Sequence, residues 1–120
     1  MKKLIKIGTL VLSTFMGSQA FAASMECTIG DPQYNRDYNN YTCYTVEFGS
    51  TYAQTTFKIV GNKAISHVIW GDAAANCGFS NSASCTVLTS ANKVHAATAK
   101  VLYQDGSWET VWATSLFNNI

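Results

Sequence analysis

The sequence predicts an all-β fold, an antiparallel β-sandwich of about seven short strands, and three observations carry that prediction. Gly, Asn, Ser and Thr recur at short intervals after residue 23, the punctuation of strands and turns. No stretch in that part sustains a helical apolar period with a cap at each end. Two dipeptides, Gly61-Asn62 and Asp105-Gly106, lie between apolar runs, and such pairs supply the backbone of two-residue hairpin turns.

Residues 1–22 are set apart from this pattern. Lys2, Lys3 and Lys6 precede an apolar stretch from Ile7 to Phe15, and Ala20-Phe21-Ala22 leads into Ala23. A basic start, a short apolar run and a small-residue cleavage site are the anatomy of a bacterial signal peptide. Cleavage after Ala22 is expected, which leaves residues 23–120, or 98 of the 120 residues. That length supports one core and is too short for two. A single domain in the periplasm or medium follows, with no membrane segment after cleavage. Helix is expected only in the leader and in at most one turn elsewhere.

Tyr41 to Phe48 is aromatic and β-branched, and alternation puts Tyr44, Val46 and Phe48 on one face. Thr55 to Val60 and Lys63 to Trp70 flank Gly61-Asn62. As a hairpin they would set Phe57 opposite Ser66 and Ile59 opposite Ala64, with Val68 and Trp70 continuing the apolar side. Cys85 to Thr89 is a further short strand. Ala96 to Tyr103 and Trp108 to Leu116 flank Asp105-Gly106, and a two-residue loop there would pair Tyr103 with Trp108, Val101 with Thr110 and Ala99 with Trp112. This register assigns Trp112, with Trp70 and Tyr44, to the core, and leaves Lys100, Leu102, Glu109 and Val111 on a solvated face. Asp31 to Asn40, with Pro32, reads as an exposed loop, and Gly71 to Ser84 as a small-residue loop.

The cysteines Cys27, Cys43, Cys77 and Cys85 form an even set in an exported small domain, so two disulfides are expected. Three connectivities exist. Proximity in sequence favours Cys27–Cys43 and Cys77–Cys85, which would contribute ~3 and ~2.5 kcal/mol on the chain-entropy model. The paired Cys-x-x-Cys spacing of a zinc site is absent, and no metal or other cofactor is expected; the metal alternative that stays open is calcium held by Asp72 and neighbouring loop carbonyls, for which no DxDxDG-like run is present.

Residues 23–120 carry five basic side chains against seven acidic ones, a net charge of −2. No basic face exists for nucleic acid or anionic lipid. His67 and His95, the two histidines, have no catalytic or ligating companion at a recognisable spacing. Asp72, Asp105 and Glu109 are accounted for by turns and strands rather than by a paired-carboxylate site. The sequence therefore points away from an enzyme.

Val68-Ile69-Trp70-Gly71-Asp72, followed by Ala97-Thr98-Ala99-Lys100-Val101-Leu102-Tyr103-Gln104-Asp105-Gly106-Ser107, resembles the second half of a bacterial immunoglobulin-like domain of the PKD type. The first segment is similar to that family's tryptophan-bearing strand and Gly-Asp loop, and the second to its closing strand-turn-strand. Ala73-Ala74-Ala75 stands where the family loop continues with glycine, and Ala96 to Tyr103 lacks the cysteine of antibody-type domains. The resemblance implies an Ig-like extracellular recognition or spacer module without chemistry of its own.

Function is accordingly expected in binding. The leading expectation is a non-catalytic interaction module, with Tyr34, Arg36 and Tyr38 of the Asp31–Asn40 loop and Asp72 of the Gly71–Ser84 loop as contact residues, because exposed aromatic and charged loop residues serve recognition. Two alternatives stand beside it. One is a carbohydrate-binding domain, which requires a flat exposed row of aromatics on one sheet. The other is a small secreted inhibitor or effector acting through the stapled Gly71–Ser84 loop. The expected partner is an unidentified protein or a polysaccharide.

Overall fold

A computed structural model describes residues 23–30, 36–39, 42–47 and 49–119. The leader assigned to residues 1–22, and Tyr34, lie outside the described residues. Nine strands are present among those described: β1 Ser24–Ile29, β2 Arg36–Asn39, β3 Thr42–Glu47, β4 Tyr52–Val60, β5 Ile65–Asp72, β6 Phe79–Ser80, β7 Ser84–Ser90, β8 His95–Tyr103 and β9 Trp108–Asn119. A single 3-10 turn, Ala75–Cys77, joins β5 to β6. The strands form two sheets, one ordered β2-β3-β9-β8-β5-β6 and one ordered β1-β4-β7. The all-β, two-sheet architecture agrees with the expectation from sequence.

The sheets meet through alternate residues of each strand. Met25, Ile29, Phe57 and Ile59 from the smaller sheet pack against Val68, Trp70, Val101, Val111 and Phe117 from the larger one, with Ala97, Ala99 and Ala113 leaving room for the larger side chains. Burying each large apolar side chain contributes ~1.5–3 kcal/mol. Polar groups inside the core are paired where Thr55 and Thr89 share a hydroxyl hydrogen bond of 2.8 Å and the Thr89 hydroxyl donates to the Ala53 carbonyl at 3.1 Å.

Both disulfides form with the favoured connectivity, Cys27–Cys43 and Cys77–Cys85. Each is short in the chain, closing 16 and 8 residues of sequence separation. Each also spans the sandwich. Cys27 on β1 and Cys43 on β3 belong to different sheets, and Cys77, in the turn after β5, is tied to Cys85 on β7. Such cross-links belong to an oxidising compartment. No helix among the described residues is long and apolar enough to cross a membrane.

Several expectations are corrected. Gly61-Asn62 does not close a hairpin, because both edges of β4 are taken, by β1 from Ser24↔Val60 to Ile29↔Thr55 and by β7 from Tyr52↔Ser90 to Lys58↔Ser84. The chain instead crosses from one sheet to the other there. The sheets are not wholly antiparallel: β3 and β9 run parallel, with Thr114 beside Thr42 and Asn119 beside Glu47. Distant segments are free to pair in either direction because no short turn constrains them. Arg36–Asn39 is an edge strand on β3 rather than loop, and Gly71–Ser84 contains the end of β5, the 3-10 turn and β6.

The closing hairpin has a three-residue loop. The Gly106 N–H donates to the Tyr103 carbonyl at 3.0 Å, and the Tyr103 N–H donates to the Ser107 carbonyl at 2.9 Å. Gly106 has φ +89°, the left-handed position that completes such a turn. The register therefore sets Trp108 beside Leu102, Thr110 beside Lys100 and Trp112 beside Thr98. Relative to a two-residue loop this is a slip of one residue, which reverses the faces of β9. Trp112 points outward instead of into the core, whereas Val111 is buried and Glu109 turns inward between the sheets. Tyr44 is likewise half-buried rather than in the core, and its hydroxyl accepts from Asn118 Nδ2 at 3.2 Å.

Candidate binding face

The reversed register builds a surface on the outer side of the larger sheet. β9 presents Trp108, Thr110 and Trp112; β8 presents Thr98, Lys100 and Leu102; β5 presents His67 and Ile69, and β6 adds Phe79 beside Ile69. Trp108 and Trp112 are 60% and 49% exposed, and Phe79 is 66% exposed. The tryptophans are four residues apart on one strand, about 13 Å at strand rise, and Phe79 lies three strand spacings from β9, about 14 Å. Three aromatic rings thus mark out an exposed platform on one side of the larger sheet.

Its polar groups are few and fixed. Lys100 lies in the middle, its Nζ 4.4 Å from the Trp108 ring centroid, a cation–π contact that holds the charge within the aromatic surface. His67 stacks on Phe79 with ring centroids 4.6 Å apart and has Nδ1 2.9 Å from the Ser66 hydroxyl. Beside Trp112, the Thr98 hydroxyl donates to Asp72 Oδ2 at 2.8 Å. Gly71 completes that row, and a Cβ there would meet Thr98 Oγ1 at 2.8 Å. Glycine keeps a shallow floor next to the indole and leaves Thr98 free to orient Asp72.

The smaller sheet is different on its outer side. Glu26 neighbours Lys58 across β1 and β4, and Thr56 and Thr86 join hydroxyls at 2.8 Å across β4 and β7, with Tyr52 and Leu88 toward one end. Among the described residues, Trp108, Trp112 and Phe79 are exposed on the outer side of the larger sheet, and Tyr52 is exposed on that of the smaller one.

The residues singled out from sequence are distributed unevenly over this geometry. Asp72, the last residue of β5, has φ +54° and borders the platform. The backbone of Arg36 and Tyr38 runs along β2 at the opposite edge of the same sheet, four strand spacings or about 19 Å from β5. Asp72 and the β2 residues are therefore not gathered into one site. Trp108, Trp112, Phe79 and Lys100, which form this face, are not among the contact residues expected from sequence. The composition Gln104-Asp105-Gly106 fits a three-residue loop with glycine in the left-handed position, and that loop length would have turned both tryptophans outward. His95 is structural: its Nε2 accepts from the Ser90 backbone N–H at 3.1 Å and steadies the turn between β7 and β8. No protein-family model, curated protein or solved structure matches this chain.

Proposed function

We propose that the protein is an exported, non-catalytic carbohydrate-binding protein that takes a polysaccharide across the outer face of its larger sheet. The observation that carries this reading is the exposed set Trp108, Trp112 and Phe79 on one side of one sheet. A pyranose ring has an apolar C–H face that packs on an indole, and hydroxyls at its rim that seek charged partners. Lys100 offers donors within the platform and Asp72 an acceptor at its edge. Recognition by rigid strands also limits the entropy lost on binding. The Ig-like, PKD-type reading is part of the same proposal: its support is Trp70, 3% exposed on β5, the strand beside the closing hairpin.

Retention of the exported protein on a panel of insoluble and gel-embedded polysaccharides tests the proposal. Trp108→Ala or Trp112→Ala should each weaken retention by roughly 5–30-fold, the effect of losing an anchor worth about 1–2 kcal/mol. Their melting temperatures should stay within about 2 °C of the parent, as exposed positions allow. Retention on none of the glycans would reject the reading. A protein target, captured through exposed Phe79 in the Cys77–Cys85 segment, would then take its place.

A further inference from the structure

The contact that joins the two sheets at the start of β1 has a chemistry that depends on where the chain begins. The Ala23 backbone nitrogen donates to Glu109 Oε2 at 3.1 Å, across 86 residues of sequence. The Tyr103 hydroxyl donates to the same carboxylate oxygen. Ala23 leads into the smaller sheet, whereas Tyr103 and Glu109 belong to the larger one. Gly61 abuts the same point: a Cβ there would stand 3.1 Å from Ala23 Cβ and 3.3 Å from Ala23 Cα, so glycine makes the room in which Ala23 sits.

We propose that cleavage of the Ala22–Ala23 bond creates an α-ammonium group at Ala23 that pairs with Glu109 and latches the two sheets together. The inference rests on the reading of residues 1–22 as a leader removed after Ala22. Hydrolysis adds one water across that peptide bond, leaving the carboxylate on Ala22 and the amine on Ala23, which takes up a proton near neutral pH. Before cleavage the group facing Glu109 is a neutral amide with one N–H. Afterwards it is a cation with three donors, so a bond between a neutral N–H and a half-buried carboxylate becomes an ion pair between two full opposite charges.

The surrounding groups favour this pairing. Tyr103 supplies a neutral donor, and its phenol is held in the protonated form by burial and by Glu109 itself. Lys63 lies with Nζ 4.6 Å from the Tyr103 ring centroid and makes its ion pair with Asp105 at 2.9 Å. From β4 the neighbour of Ser24 is Val60, which brings no charge. The titrating partners at the latch are thus the α-amine, Glu109 and Tyr103, with the Lys63–Asp105 pair behind the phenol ring.

The test uses the full-length chain, exported by a bacterial host and recovered after processing. Intact mass and N-terminal sequencing should give Ala23 as the first residue; another start overturns the processing step, whatever the stability data say. Three further precursors are compared: one with a single glycine inserted between Ala22 and Ala23, which leaves Ala23 as an internal amide after cleavage, one with Glu109→Gln, and one with both changes. Near pH 6.5 the parent should melt several degrees above the glycine-inserted form. That gap should close above about pH 9, as the α-amine loses its proton, and should be absent when both forms also carry Glu109→Gln. A gap that persists at high pH or without the carboxylate overturns the ion pair. Should Glu109→Gln fail to fold, an NMR titration of the Ala23 amine in the parent decides, since the ion pair requires its pKa to lie above the ordinary 7.7–8.0.

Discussion

Asp105 is held by three donors at once: the Ser107 hydroxyl at 2.5 Å, Lys63 Nζ at 2.9 Å and the Ser107 backbone N–H at 2.9 Å. The Ser107 hydroxyl first, and then Lys63, keep its carboxyl well below the usual carboxylate range. A depressed pKa in the folded state stabilises the fold above the unfolded value of about 3.9 and loses that contribution as pH falls toward the folded value. Exposure to solvent keeps the amount small. An NMR titration of the side-chain carboxyl should find Asp105 still ionised at pH 3, where a free aspartate is mostly protonated; a midpoint near the free value would show that the contacts do not persist in solution. Tyr103 is shifted in the opposite sense, by burial and then by its bond to Glu109, so its contribution is complete below about pH 10 and fades only as the phenol ionises. At this scale the sequence was legible for residues whose role is local. Asp105 reads as a turn residue from its neighbours alone, but the partner that Lys63 supplies comes from another connection and leaves no mark nearby in the chain.

The elements show how much one residue of loop length decides. Strand alternation in Ala96 to Tyr103 was readable, and so was the existence of the closing hairpin. The side of β9 that faces water was not, because Asp-Gly suits both a two-residue loop and the last two positions of a three-residue one. Both faces of Trp108 to Leu116 mix apolar and polar residues, so the hydrophobic pattern could not arbitrate. The loop's dependence on Gly106 can be measured. A Cβ there meets nothing within 4 Å, so Gly106→Ala costs only its left-handed backbone, about 1–2 kcal/mol. A fall in melting temperature of roughly 4–15 °C is expected for a domain of this size, and an unchanged melt would mean that the loop adopts another form. The Gly61-Asn62 hairpin failed for a reason no local signal carries: a strand has two edges, and β1 and β7 occupy both edges of β4.

For the molecule as a whole, the disulfides connect what the backbone hydrogen bonds leave separate. The two sheets are held to each other by the packed core and by cross-links that each join one sheet to the other. Their connectivity followed from proximity, yet their role as ties between layers depends on which strands share a sheet, which is information at long range. Removing Cys27–Cys43 should cost about 3 kcal/mol and removing Cys77–Cys85 about 2.5 kcal/mol. Domains of this size have about 5–15 kcal/mol in total. Circular dichroism melts should therefore show either single pair replaced by alanines as folded but less stable, and both pairs replaced as largely unfolded near 37 °C. A doubly replaced chain that melts like the parent would place nearly all the stability in the core instead.

The parallel pairing of β3 with β9 also sets a timetable. Thr42 and Thr114, whose hydroxyls meet at 3.0 Å, are 72 residues apart, and synthesis at about 5–20 residues per second separates their appearance by roughly 4–14 s. Through that interval β2 and β3 are a two-stranded ribbon, which is marginal in water by itself. β9, the last of the described strands, then enters between β3 and β8 and completes the larger sheet in one step. A chain ordered in this way stays pliable until its final strand arrives, and it acquires its aromatic platform only when β9, which carries both exposed tryptophans, takes its place beside β8.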